Sequence, residues 1–415
     1  MEQDILILRE LAARYMEAAS DPVNAERVIL HTAVNDKVQM RPVVLIDEIP
    51  WQEMNIHDEL TICCKDPDYA AVEDHLRKEL YKWRHMQADM ILRPYYGVQK
   101  IVESTGIGVT EQHDEVRMTD PGAVTSRIFS NQITCEEDIE KLHPQVLTYR
   151  EQETKALYEK ISSAISDILP VKITGIESGY DNACKNWDDI AYFMGVDNLM
   201  YNLIDEPEMM HQLVARLTEI NLDTTKQLER LGLYEPNQLT LHSTSALSRD
   251  LLEGADFTHI SRKNVWGRGL AQIFSTVSKE MRDEYDIQYM KKALAPFGLS
   301  YYGCCEPLHN MIDILEQIPN LRKISITPWA DVDIAADNMG TRYVMGFKPN
   351  PAFATDFSVY EEAIRTEIRR MLAAVKRNGT TADIVLKDIS TVGHDPENLF
   401  CWEKLVMEAV REFNY

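Results

Sequence analysis

Leu299-Ser300-Tyr301-Tyr302-Gly303-Cys304-Cys305-Glu306-Pro307-Leu308-His309 runs from an apolar, aromatic stretch straight into two adjacent thiols, a carboxylate and an imidazole. The first half has the composition of a buried strand, and the second half gathers soft and hard donors just past the strand's carboxyl end. That placement suits a zinc ion that keeps one coordination position open for chemistry. Adjacent cysteines also serve as small buried hydrophobes, so a structural reading stands beside the chemical one.

Working outward, strand-like runs of apolar and β-branched residues recur at 41–48, 88–94, 171–177, 238–243, 321–328, 342–348 and 382–388, which with 299–304 makes eight. Amphipathic helical patterns fall between them at 72–86, 153–168, 208–231, 279–295 and 360–378. Alternation of this kind predicts the α/β class and a single closed (β/α)8 TIM-type barrel over 41–415. A doubly wound open sheet is the alternative, but no glycine-rich phosphate turn follows the first run. Residues 1–40 read as an N-terminal helical extension, and 97–170 as a long insertion after the second strand. The insertion carries an expected hairpin, 108–111 against 126–129.

With 415 residues, 45% of them hydrophobic, the chain can bury a large core. A net charge of -24 opposes binding to phosphate backbones or anionic membrane surfaces, so neither nucleic acid nor membrane is expected as a partner. The amino-terminal residues are acidic and amphipathic, without a basic region followed by an apolar stretch, and a cytoplasmic protein is expected. Seven cysteines, with two pairs adjacent in sequence, make a poor disulfide framework, so reduced thiols are expected.

In a barrel, reacting groups sit where strands end. Those ends supply Asp47, Glu48, Arg93, Tyr95, Tyr96, Glu177, His242, Cys304, Cys305, Glu306, Trp329, Lys348, Asn350, Lys387, Asp388 and Ser390. His242 and the Cys304 segment come from consecutive predicted strands and can face one centre as metal ligands. Strand alternation favours Cys304 over Cys305, since Tyr302, Cys304 and Glu306 share a face. Two prolines around Asn350 fix the loop after the seventh strand and hold Lys348 and Asn350 near the mouth. Each of these residues also has a structural reading, because solvated turns carry charge and a histidine beside an apolar run is often a satisfied core residue.

The order of these motifs, from about Arg41 to the carboxyl terminus, resembles the uroporphyrinogen decarboxylase superfamily, and in particular its cobalamin-dependent methyltransferase branch. There the fifth strand carries His-x-Cys-Gly. Here Tyr302-Gly303-Cys304-Cys305 takes that place, so Cys304 matches the family cysteine and Tyr302 replaces the histidine. The family's closing Gly-Cys is also missing: the segment from Asp388 to Asn398 has no cysteine. The resemblance implies a zinc-assisted methyltransferase or demethylase moving a methyl group between a small methylated compound and a corrinoid. No Asp-x-His-x-x-Gly run is present to bind cobalamin, so the corrinoid is expected on a separate protein. Metal ligands are then expected among His242, Cys304, Cys305 and Glu306, with Glu177 or Asp388 completing the shell or protonating the leaving group. Asp47, Tyr96, Trp329, Lys348 and Asn350 are expected to contact substrate. The decarboxylase branch fits less well, because Asp47 and Glu48 would repel a polycarboxylate. A non-catalytic barrel that binds a small ligand is the rival from another class, and a homodimer is left open.

Overall fold

A computed structural model describes residues 2–116, 126–177 and 183–414. Its centre is a seven-stranded parallel sheet in the order Val43–Ile46, Ala382–Leu386, Val344–Phe347, Leu321–Ile326, Leu299–Tyr302, Trp266–Gly269, Ala183–Cys184. The strands are apolar because both faces are covered. Alternate residues sort onto the two faces. Val44, Ile46, Ile324, Ile326, Met345, Phe347, Ile384 and Leu386 join the main core. Val43, Leu45, Val344 and Val385 pack on the other face, against Leu30 and Val34 of the Val23–Asn35 helix.

Helix boundaries follow capping chemistry. Asp66 caps the Pro67–His85 helix by accepting from the amides of Asp68 and Tyr69, and basic residues close its last turn. Asp356 caps Phe357–Asn378, which ends at Gly379 in the left-handed conformation with φ +64°. The expected extension consists of two helices, Glu2–Ala19 and Val23–Asn35. No described helix is long and apolar enough to cross a membrane.

Three expected strands come out differently. The 238–243 run does not join the sheet; Thr240–Leu241 pairs antiparallel with Thr244–Ser245 in a short hairpin. The reason is polar: Asp383 and Lys323, both fully buried in the sheet, bind Thr244 and Ser245 and hold the hairpin against the sheet face. The 88–94 run forms no ladder, although the Asp89 amide donates to Val44 O beside the first strand. The Val171–Thr174 strand pairs with Tyr96–Gln99 in a separate parallel ribbon. In place of the 238–243 run, the sheet takes Trp266–Gly269, a stretch that none of the expected runs covers. A Cβ at Gly267 would stand 2.5 Å from the Phe297 ring, and one at Gly269 would stand 2.9 Å from Met290 sulfur. Both glycines are there to let the following helix pack against the strand.

Within the 97–170 segment a hairpin does form, with Ser126–Phe129 as its second arm and His113–Val116 as its first. Gly108, at φ +95°, turns the chain against Lys141 O where a Cβ would stand at 2.0 Å, so the 108–111 stretch is a packed turn and the arm starts later.

Candidate active site

Three parallel strands deliver the chemistry at their carboxyl ends. Val43–Ile46 leads into Asp47 and Glu48, Leu299–Tyr302 into Cys304 and Cys305, and Ala382–Leu386 into Lys387 and Asp388. The hairpin turn adds His242 and Ser243 from above the sheet face. Cys304 and Cys305 sulfurs lie 3.7 Å apart, and Lys387 Nζ is 3.4 Å from the first and 3.7 Å from the second. Cys305 Sγ is 3.5 Å from Asp388 Oδ2, and Lys387 Nζ is 2.9 Å from the same oxygen. His242 Nε2 lies 3.4 Å from Glu48 Oε1.

These contacts fix the charge of each group. The Cys304 thiol is pulled down to about 3, first by the hydrogen bond from Cys305, then by His242, Lys387 and Arg268, which together outweigh burial. It is a thiolate. Cys305 is pushed up by donating to that thiolate and by burial, and keeps its proton. Burial works against the Lys387 ammonium, but Cys304, Asp388 and Cys305 more than offset it and hold the charge in place. Burial and a hydrogen bond to Asp388 push Glu48 up, while bonds to Glu48 and Lys387 hold Asp388 down against burial. Of this carboxyl pair, Glu48 is the more readily protonated.

The backbone is strained where these side chains converge. Glu48, Ser243 and Asp388 are non-glycine residues with φ of +49°, +52° and +56°. Such conformations cost about 1 kcal/mol or more each and persist where surrounding structure over-determines them. Asp388 N donates to Glu48 Oε2 at 3.0 Å, and Ser243 Oγ donates to Asp47 Oδ2 at 3.2 Å, so the strained turns brace one another.

Of the residues singled out in the sequence, the structure brings together Asp47, His242, Cys304, Cys305 and Asp388, with Lys348 beneath them. Lys348 is buried, donates from Nζ to Ser243 O, and is pushed down by burial to about 8. Others lie elsewhere. Glu306 is fully buried, but its oxygens accept from the amides of Cys304 at 2.9 Å and Ala271 at 3.1 Å, with Arg282 at 3.8 Å. It positions the thiol turn, with both of its oxygens engaged in doing so. Glu177 pairs with Arg93 and Tyr95, and Tyr96 packs edge-on against His75. Asn350 caps a short helical turn through Ala352, and Trp329 is 69% exposed. Glu48 and Lys387 are strand-end residues that the sequence supplies without pointing to a role for either, whereas Arg268 lies on the Trp266–Gly269 strand, which no apolar run marks.

The donor chemistry fits zinc. Two thiolates on one tetrahedral zinc stand about 3.8 Å apart, given Zn–S bonds of about 2.3 Å, and the two sulfurs here are separated by 3.7 Å. His242, hydrogen-bonded to Cys304, supplies the borderline nitrogen. Among the described residues, no three His, Cys, Asp or Glu side chains are drawn together tightly enough to grip an ion as they stand. The Lys387 ammonium contacts both sulfurs, so metal entry requires it to withdraw toward Asp388 and Glu48. No family model matches the chain, and no curated protein matches it, so the function must be argued from this cluster itself.

Proposed function

We propose that the protein is a zinc-assisted methyltransferase, moving a methyl group between a small methylated compound and a corrinoid carried by a separate protein. The observation that carries this reading is the paired sulfurs at the carboxyl end of a parallel strand, one held down toward the thiolate, with His242 beside them and Glu48 and Asp388 at neighbouring strand ends. Cys304, Cys305 and His242 would hold the zinc, which when bound supplies Lewis acidity toward the methylated heteroatom. Cys305 would give up its proton on binding metal.

The remaining chemistry belongs to the chain's own side chains. Glu48, the more readily protonated of the carboxyl pair, would deliver a proton to a departing heteroatom, and Asp388, held down beside Lys387, would receive or return it. Lys387, itself buried, balances the negative charge of the Cys304 sulfur and Asp388. In the transfer, the carbon–heteroatom bond would break with its electron pair left on the heteroatom, and the reduced corrinoid of the separate protein would supply the pair that takes up the methyl group.

The same reading includes the finer fold. We propose that the seven-stranded sheet belongs to a closed (β/α)8 barrel of the uroporphyrinogen decarboxylase type, completed near Ala88–Leu92 and Val171–Thr174. Supporting this are the Asp89 amide on Val44 O and the bridge from Ile176 to Tyr234 beyond the parallel ribbon. The functional test is incubation of zinc-loaded protein with cobalt(I) cobalamin and a panel of methylated amines, ethers and thioethers. Appearance of the methylcobalamin spectrum, abolished in Cys304→Ser, is expected. Failure of every donor, with zinc bound, overturns methyl transfer.

A further inference from the structure

Cysteines adjacent in sequence occur twice in the chain, and the fold treats the two pairs differently. At Cys63-Cys64 the sulfurs turn to separate acceptors: Cys63 Sγ donates to Thr61 O at 3.6 Å and Cys64 Sγ to Asp4 O at 3.7 Å. At Cys304-Cys305 the sulfurs meet each other at 3.7 Å. Adjacency alone therefore does not bring two sulfurs together, and the turn after Leu299–Tyr302 does.

That turn is held from several sides. Gly303 takes φ +105°, a conformation that favours glycine. The Cys304 amide donates to Glu306 at 2.9 Å, and the Cys304 carbonyl accepts from Ser325 Oγ at 3.0 Å. With the backbone pinned, the side chains are the parts left to close the gap between the sulfurs. Cys304 is buried and Cys305 half-buried, so solvent reaches the pair from the Cys305 side. Lys387 Nζ lies 3.4 Å from one sulfur and 3.7 Å from the other, a cation placed to stabilise a sulfur anion on either residue.

We infer that Cys304 and Cys305 form a reversible oxidation site, which a small hydroperoxide converts to a disulfide between chain neighbours. This site stands apart from methyl transfer and does not depend on it. One sulfur, as its anion, breaks the oxygen–oxygen bond of hydrogen peroxide, becomes a sulfenic acid and releases hydroxide. The other, as its anion, attacks that sulfur and expels a second hydroxide, which forms the S–S bond. The two thiol protons turn the hydroxides into water, and two electrons pass from the sulfurs to the peroxide oxygens. The peptide joining the pair is trans, so the two Cα atoms stay about 3.8 Å apart, closer than the roughly 4.4 Å or more of ordinary disulfides. Such a ring is strained and easily reduced, which suits a switch better than a structural crosslink. While closed, it withholds both sulfurs from any metal.

The test treats the intact, metal-free protein with equimolar hydrogen peroxide, blocks free thiols with iodoacetamide and reads the peptides by mass spectrometry without reduction. The peptide carrying Cys304 and Cys305 is expected two hydrogens lighter, unblocked at both sulfurs, and restored to two blockable thiols by dithiothreitol. Its closure is expected to be about tenfold or more faster than closure of Cys63-Cys64, and this advantage is expected to vanish in urea. In Cys305→Ser no second sulfur traps the sulfenic acid, so Cys304 is expected to run on to sulfinic acid, which dithiothreitol does not reverse. Two oxygens added to either sulfur of the wild-type pair, a bridge through one added oxygen to Lys387, or equal closure rates at the two folded pairs overturns the inference. So does an advantage that persists in urea. Zinc titration of the same samples separates this site from the proposed function. Reversible closure in a chain that takes up no zinc supports the inference and removes the zinc reading. Zinc uptake by a chain whose metal-free pair stays open under peroxide overturns the inference and leaves the zinc reading standing.

Discussion

Replacing Lys323 by methionine removes one partner of the ion pair that pins the hairpin to the sheet. Both Lys323 and Asp383 side chains are fully buried, with Nζ 2.7 Å from Asp383 Oδ2. The ammonium also donates to Ser245 O at 2.8 Å and lies 3.1 Å from the hydroxyls of Thr244 and Ser245. Breaking a buried pair from one side costs about 3–5 kcal/mol, because the remaining charge is uncompensated. Asp383 would keep Thr244 Oγ1 at 2.6 Å, Ser245 Oγ at 2.9 Å and Ser245 N at 3.0 Å. Those three bonds place the expected loss near the lower end, about 3 kcal/mol. Burial holds the Lys323 ammonium below its ordinary range in spite of Asp383, so the pair itself is not strongly stabilising against a neutral replacement. The double variant Lys323→Met with Asp383→Asn should therefore recover most of the loss. Urea unfolding at neutral pH measures both. A single-variant loss below about 1 kcal/mol, or a double variant no more stable than the single, would refute the reasoning.

Acid should destabilise the protein through His31, which burial depresses to about 4 from 6.5. Between those values the unfolded chain takes a proton that the folded ring refuses. Stability is thus complete above about pH 6.5 and lower by about 3 kcal/mol near pH 4. His31→Gln should flatten this dependence, and an unchanged slope in denaturation curves would count against it. Glu306→Ala strands the amides of Cys304 and Ala271 and leaves Arg282 short of a charge. It should cost about 2–4 kcal/mol and slow methyl transfer, while Glu306→Gln retains an acceptor and costs less. Equal melting temperatures for wild type and the alanine variant would show that the turn holds itself. Lys387→Met should leave the fold intact but reduce the thiolate ultraviolet absorbance contributed by Cys304 at mildly acid pH; no change relative to wild type would remove Lys387 from the account.

The sequence made the sheet legible wherever apolar alternation was uninterrupted. The runs around Leu45, Tyr301, Ile324, Met345 and Ile384 are all strands of the parallel sheet. It misled where local composition and tertiary demand conflict. Gly267 and Gly269 leave 266–269 outside every apolar run, yet they are strand residues whose missing side chains admit Phe297, Met290 and Leu294. The 238–243 run looks like a sheet strand, yet its neighbours Thr244 and Ser245 are polar groups serving a buried ion pair whose members lie far along the chain. The candidate site was legible in the same measure. Cys304, Cys305, His242, Asp47 and Asp388 stand out because strand ends concentrate donors. Glu306 shares a face with Cys304 by alternation, but Gly303, at φ +105°, breaks the strand before that rule reaches it. The contact between Glu48 and Asp388 could not be read from spacing, since the two residues are 340 positions apart.

Zinc content of the purified protein, measured by elemental analysis for wild type, Cys304→Ser and His242→Ala, tests the central claim most directly. The account predicts about one zinc per wild-type chain and its loss in both variants, with melting curves that show the variants folded in their metal-free state. Wild-type protein that takes up no zinc on titration, or a folded Cys304→Ser variant that keeps full occupancy, would contradict it.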